Sequence, residues 1–152
     1  MRTFAYRVIP SDTIRAMATG LQPSLAALIL AQTVDAVIYA DTEGVILLWN
    51  AAAEQLFGFV SEEAVGASLD LIIPEHLGEA HWRGYRAAMR SGRTRLGGRA
   101  TLTKGLHKGG RSVYVEMSFS VVKDARNEVV GSVAIARDAT DKHVKAHEAA
   151  GA

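Results

Sequence analysis

The spacing of hydrophobic and polar residues changes along this chain. Apolar residues recur at the three-and-four spacing of a helix through residues 25–32. Short apolar runs at 37–40 and 45–49 then flank the turn-forming residues 41–44, which predicts a β-hairpin. Since the two patterns differ in period, the chain must combine helices with strands.

Short helical segments are predicted in the middle of the chain. Asn50 is suited to cap a helix that ends at Gly58, and Ser61 opens another short helix. A longer helix is predicted from Pro74 to about Gly92, because proline favours the start of a helix and glycine its end.

The second half of the chain has the pattern of strands. Strands are predicted at 96–103, 113–122 and 129–137, and apolar and polar residues alternate strictly in the second of them. From Thr140 onward the chain looks helical and charged. This order predicts an α+β domain, in which short helices cover one face of a five-stranded antiparallel sheet.

We divide the chain into three parts on these patterns. Residues 1–22 are predicted to be an N-terminal helical extension, 23–141 the folded domain, and 142–152 a C-terminal tail. We expect the N-terminal helical region to form a homodimer surface from its apolar residues. These are Ile14, Met17, Leu21, Leu25 and Leu28.

Composition narrows the possible functions. Among 152 residues 22% are charged and 49% hydrophobic, which is typical of a folded domain. The chain has no cysteine, so disulfides, thiolate metal sites and cysteine nucleophiles are excluded. The net charge of +1 does not favour nucleic acid as a partner. We expect a cytoplasmic protein, because neither a leader nor an apolar run of about 20 residues is visible.

Several short motifs occur in the order and spacing of a known family. Together they resemble the PAS family over about residues 25–141, which implies a sensory or dimerising module of that fold. The motifs are Asp41–Ile46, Trp49–Phe59, Ile73–Glu75, Lys108–Arg111 and Gly131–Thr140.

A narrower resemblance lies within the domain. Glu75, His81 six residues later, and then Arg99 are similar to the haem-binding PAS domains of bacterial oxygen-sensing histidine kinases. The resemblance implies that His81 is the proximal ligand of the iron in haem b, and that Arg99 responds to oxygen on the distal side. It also implies that Met117 and Phe119 press on the distal face of the haem.

The residues around His81 suit this chemistry. On a helix, His81 shares a face with Gly84, whose small size would let a flat macrocycle lie close. Among the arginines near the end of this helix, Arg93 and Arg95 in the following loop are best placed to pair with haem propionates. For any single arginine, a solvated basic helix end is the simpler interpretation. Arg99 lies on a predicted strand, and its side chain points either to solvent or inward. If it points inward, the buried cation needs a polar partner.

Two functional hypotheses follow for the chain. The first is a haem-binding PAS sensor that detects O2, another diatomic gas or redox state, and signals to an effector protein or domain. The alternative is a cofactor-free PAS module for dimerisation or for binding a small apolar ligand. We expect no enzymatic activity, although haem-dependent peroxidase activity stays open.

Overall fold

The computed structural model describes residues 23–151, so the predicted extension 1–22 lies outside the described residues. This part of the chain contains five α-helices, one 3₁₀ turn and five strands. The helices are α1 (Leu25–Gln32), α2 (Ala51–Phe57), α3 (Ser61–Ala64), α4 (Glu75–Ser91) and α5 (Thr140–Ala150), and the 3₁₀ turn spans Leu69–Ile72. The strands are β1 (Ala36–Asp41), β2 (Ile46–Trp49), β3 (Thr101–Leu106), β4 (Ser112–Lys123) and β5 (Val129–Asp138).

The strands form one antiparallel sheet in the order β2-β1-β5-β4-β3. The predicted hairpin of β1 and β2 is confirmed, and so is the five-stranded sheet with helices packed on it. Strand β5, the last strand in sequence, lies between β1 and β4. It therefore joins the β1–β2 hairpin to the β3–β4 pair. Helices α2, α3 and α4 contact β1, β2 and β5 respectively, and most of the buried apolar core is gathered there.

Strand β4 shows why the two faces of the sheet differ. Val113 and Val115 are buried in the core. Tyr114 alternates with them and therefore points to the opposite face, where its ring stacks on His143 of α5 at 3.6 Å between centroids. Lys142 of α5 also donates to Glu116 at 3.1 Å. Helix α5 thus contacts the face of the sheet that α2–α4 leave open.

Asn50 ties the first strand to the helices on both sides of it. Its side-chain oxygen accepts hydrogen bonds from the backbone N–H of Val37 at 2.9 Å and of Ala53 at 3.0 Å. Its amide nitrogen donates to the carbonyls of Leu30 at 3.1 Å and Asp35 at 3.0 Å. The residue is fully buried, and it both caps α2 and holds the end of α1. The cap was predicted, whereas the other bonds depend on the fold.

The predicted strand at 96–103 is wrong in its bounds. Strand β3 begins at Thr101 and ends at Leu106. Gly97 and Gly98 have φ angles of 57° and 79°, which are incompatible with an extended strand, and the segment before β3 turns instead. Arg99 therefore lies in a loop, and the strand parity on which its two possible orientations were based does not apply.

Candidate functional site

Helix α4 is held against the sheet by one buried face. Tyr85 and Ala88 are its buried residues, and Gly92 ends it in the left-handed conformation. The Tyr85 hydroxyl donates to the backbone carbonyl of Asp41 at 2.5 Å and lies 3.0 Å from the hydroxyl oxygen of Ser132. These contacts fix the rotation of α4, and with it the direction in which His81 points.

A second contact holds α4 at the residue next to His81. The indole N–H of Trp82 donates to a carboxylate oxygen of Asp70 at 2.7 Å. The Trp82 ring also covers Gly44 of the β1–β2 turn, where an added Cβ would lie 2.3 Å from the ring. The His81 and Trp82 ring centroids are 5.0 Å apart, so this contact also restricts the imidazole.

His81 carries a buried polar atom that the described chain does not satisfy. Its Nδ1 is buried and has no hydrogen-bond partner among residues 23–151. Burial lowers the pKa of His81 because the imidazolium loses hydration, and the negative charge of Asp70 opposes this effect. The imidazole is therefore neutral near pH 7, which is the form that binds a metal.

Two cavities meet at His81. We call the space of about 120 Å³ between the helices and the sheet the inner cavity. We call the more open space of about 430 Å³ between α4, the following loop and β3 the groove. His81, Thr103, Met117 and Phe119 line both. The groove is also lined by Ala80, Gly84, Tyr85, Ala88, Thr94, Arg95, Leu96, Arg99 and Thr101.

The groove gathers six of the seven residues that the sequence singled out. These are His81, Gly84, Arg95, Arg99, Met117 and Phe119. The structure does not bring Arg93 to the groove, because Arg93 lines a separate shallow depression with Gly97 and Ser120. The two loop arginines therefore lie in different places, although the sequence suggested them equally.

The groove has an apolar wall and a cationic rim. Met117 and Phe119 are partly buried against the core, whereas Arg95 and Arg99 are exposed. Within residues 23–151 neither arginine forms an ion pair with a carboxylate. Such a groove suits a flat apolar molecule that carries negative charge at one edge.

Sequence reasoning missed the groups that position the site. Asp70 follows a helix-capping serine, and no local pattern indicated that it would meet Trp82. Tyr85 shares a helix face with His81, which was visible, but its partner Ser132 is 47 positions away. Among the described residues, no group of three histidine, aspartate or glutamate side chains is placed to hold a bare metal ion.

Comparison with models of known protein families shows to which family this chain belongs. The family model described as PAS fold matches residues 30–144. The chain belongs to the PAS family. The sequence resemblance to that family is confirmed, and PAS domains are typically signalling modules.

A distant relative of this PAS domain is an oxygen sensor. The oxygen sensor protein DosP of Escherichia coli (strain K12) is 30% identical over 95 residues, which are 62% of this chain and 12% of DosP. A protein of Azorhizobium caulinodans is 35% identical over 65 residues, 42% of this chain and 9% of that protein. The PAS domain thus spans a small part of the relatives it matches.

Solved structures resemble this PAS domain in fold. A PAS domain from Colwellia psychrerythraea matches with a TM-score of 0.67 at 24% identity, over 76% of this chain and 95% of that one. An RNA-binding light-oxygen-voltage receptor matches with a TM-score of 0.62 at 21% identity, over 81% of this chain and 36% of that one. In the described part of the PAS domain, no helix is both long and apolar enough to span a membrane.

Proposed function

We propose that this PAS domain binds haem b in the groove, with His81 as the ligand of the iron, and senses O2, another diatomic gas or redox state there. The observation that carries the proposal is the buried and unpartnered Nδ1 of His81 beside a groove of about 430 Å³. A buried polar atom without a partner is costly, so the site suits a group that comes from outside the chain. Similarity to an oxygen sensor supports the same function.

The residues of the groove fit a haem. The porphyrin supplies the in-plane ligands of its iron, so one neutral imidazole from the protein is enough. Gly84 has open space on its Cβ side, and Ala88 adds little bulk one turn later. Bound haem would supply an iron that binds diatomic gases reversibly. The groove volume also falls within the usual range of about 300–1,000 Å³ for small-molecule sites.

The protein's own groups would orient the cofactor and keep its surroundings dry. Met117 and Phe119 present apolar side chains to the groove and exclude water from the side facing the sheet. Arg95 and Arg99, at the open rim, are placed to bind carboxylates by charge-assisted hydrogen bonds. We assign no such role to Arg93 within the groove.

Arg99 is also suited to relay a change at the site. It is exposed in a loop two residues before β3, and its Nε donates to the Leu96 carbonyl at 3.4 Å, a weak bond. A polar ligand in the groove could therefore draw its guanidinium inward at little cost. The movement would act on the start of β3, and the paired strand β4 would carry it across the sheet to α5.

The output of the sensor is proposed to pass through a dimer and an effector protein or domain. Leu25 and Ile29 of α1 are 72% and 58% exposed, which favours a partner surface on this helix. The same observation favours the second candidate, a cofactor-free dimerising module. Leu28 of the predicted dimer surface also lies on α1 and is half-buried. Ile14, Met17 and Leu21 lie in segment 1–22, outside the described residues. The division of the chain into three parts stays a prediction.

The proposal is tested by titrating the purified chain with haem and recording its visible spectrum. We expect one haem per chain and a Soret band that His81→Ala loses or strongly shifts. His76→Ala is the matched control, because His76 lies exposed on the same helix. We expect this variant to bind haem as the wild type does.

Two results would contradict the haem proposal. One is a wild type that stays colourless after haem is added, which would leave the cofactor-free module. The other is a His81→Ala spectrum identical to that of the wild type, which would remove His81 from the iron. Oxygen and carbon monoxide titrations of the loaded protein then identify the gas.

A further inference from the structure

Charged residues are segregated along this chain, although its net charge is only +1. No lysine or arginine occurs in residues 23–79, and no aspartate or glutamate occurs in residues 80–115. Helix α4 crosses the boundary between these two segments. Its first half therefore carries only negative charge and its second half only positive charge, an order that also suits the helix dipole.

The glutamates and arginines of α4 all lie on one face of the helix. At 3.6 residues per turn they fall within about 80° of its circumference, on the side away from the buried Tyr85 and Ala88. All of them are exposed, and the helix dipole does not require them to share a face. We call this set the α4 charge stripe, and its members are Glu75, Glu79, Arg83, Arg86 and Arg90.

The α4 charge stripe is only partly paired within its own chain. Glu79 and Arg83 form an ion pair at 3.1 Å. Among residues 23–151, no ion pair includes Glu75, Arg86 or Arg90. Both ends of the stripe therefore present charges that another molecule can reach.

The α4 charge stripe is complementary to itself. Glu75 and Arg90 lie at equal distances along the helix from the point just before Arg83. Glu79 and Arg86 lie at equal distances from that same point. An antiparallel copy of the helix, centred there on a two-fold axis, places each of these glutamates opposite an arginine of the other copy. The axis repeats each contact, and Arg83 beside it keeps its pair with Glu79.

We propose that the α4 charge stripe is a contact surface for a second copy of this chain, with the two α4 helices antiparallel about a two-fold axis. Charge complementarity identifies the occupant. A polyanion would meet the glutamates and a polycation the arginines, whereas a second copy matches both ends of the stripe. Exposed ion pairs are individually weak and are screened by salt, so the dimer is weak and sensitive to salt.

Sedimentation equilibrium of the full chain, over a series of protein concentrations, measures this contact. Leu25→Glu combined with Ile29→Glu provides the background, because both residues are exposed on α1 and the charges remove that competing surface. In this background we expect a monomer–dimer equilibrium at low ionic strength. Raising the salt to about 0.5 M should weaken the dimer by about tenfold.

Charge swaps at constant net charge test the register. Glu79→Arg alone places like charges opposite each other at the position of Arg86, and should weaken the dimer by about tenfold. Adding Arg86→Glu returns opposite charges to every paired position and should restore the dimer. Adding Arg90→Glu instead gives the same net charge but leaves like charges at both paired positions, so it should not restore the dimer. Circular dichroism checks that each variant is folded.

Three results would overturn the inference. The first is a chain that stays monomeric at low salt in the α1 background, which would make the stripe a solvated helix face. The second is a dimer that Glu79→Arg leaves unchanged, or that Arg86→Glu and Arg90→Glu restore equally well. The third is a stripe-dependent species larger than a dimer, which would replace the two-fold contact with an open head-to-tail one. None of these results depends on haem, so the haem proposal is tested separately.

Discussion

Asn50 and His81 both place polar side-chain atoms inside the fold, yet their surroundings differ. Asn50 makes four hydrogen bonds to the backbone and is packed without exposure. His81 lies between two cavities, and its Nδ1 has no partner among residues 23–151. Hydrogen bonds of Asn50 join β1 to the helices on either side. Around His81 there is instead empty space, and one polar atom makes no hydrogen bond within the described residues.

This difference indicates which of the two polar side chains stabilises the fold of the unliganded chain. A satisfied buried amide specifies one arrangement of backbone, since any other arrangement leaves polar groups unpaired. An unsatisfied imidazole nitrogen costs stability in the chain alone. Under the proposed function, a bound ligand would offset that cost. The contact of Trp82 with Gly44 links the two regions, because Gly44 follows β1 and Trp82 follows His81.

The largest effect is expected from Asn50→Ala. The substitution leaves the Val37 and Ala53 N–H groups and two carbonyls without their partners in a buried place. We expect the free energy of unfolding to fall by about 4 kcal/mol, measured by urea denaturation. Gln55→Ala, on the exposed side of α2, is the control and should change it by less than about 0.5 kcal/mol. Equal effects of the two variants would refute the structural role of Asn50.

Gly44→Ala tests the contact between the two regions. Gly44 has a φ of 85°, and the added Cβ would lie 2.3 Å from the Trp82 ring. Gly66→Ala is the matched control, because its φ is 90° and nothing lies within 4 Å of the added Cβ.

We expect Gly66→Ala to cost about 1–2 kcal/mol for the left-handed conformation alone. Gly44→Ala should cost about 3 kcal/mol, since the Trp82 ring must also move. Thermal unfolding gives both values, and Trp82 fluorescence reports the ring. If the two alanine variants unfold alike, the ring contact does not hold α4 in place.

Among these substitutions, His81→Leu should change the free energy of unfolding least. Near pH 7.5 it should not lower this free energy, unlike Asn50→Ala and Gly44→Ala. Leucine removes the unpartnered nitrogen and keeps an apolar side chain of similar size, so the chain without haem should be equally stable or slightly more stable at about pH 7.5. Chemical denaturation of the wild type and His81→Leu between about pH 7.5 and pH 5.5 measures this difference in the free energy of unfolding.

The free energy of unfolding should depend on pH differently in the wild type and in His81→Leu. Burial lowers the pKa of His81 in the folded chain, whereas an unfolded histidine has a pKa of about 6.5. Below that pH the unfolded chain binds more protons, so the wild type loses stability as the pH falls, and His81→Leu lacks this part of the loss. His76→Leu, on the exposed side of α4, should keep the wild-type slope. Parallel curves for wild type and His81→Leu would show that His81 is not buried as described.

Local patterns in the sequence were sufficient for most of the elements. The cap at Asn50, the bounds of α4 and the alternation along β4 each depend on residues a few positions apart, and the structure agrees with them. The start of β3 was predicted five residues too early, as 96 against 101. The two glycines before it take φ angles that an alternation pattern does not reveal.

The sequence by itself determined the kind of fold, the family resemblance and a histidine beside a small residue on one helix face. Only the tertiary structure decided that Arg95 reaches the groove and Arg93 does not, and that the inner cavity exists. The reason is the range of the interactions. Caps and periodicity act within a few residues, whereas a cavity is the space left where α4 meets strands far along the chain, as the Tyr85–Ser132 contact across 47 positions shows.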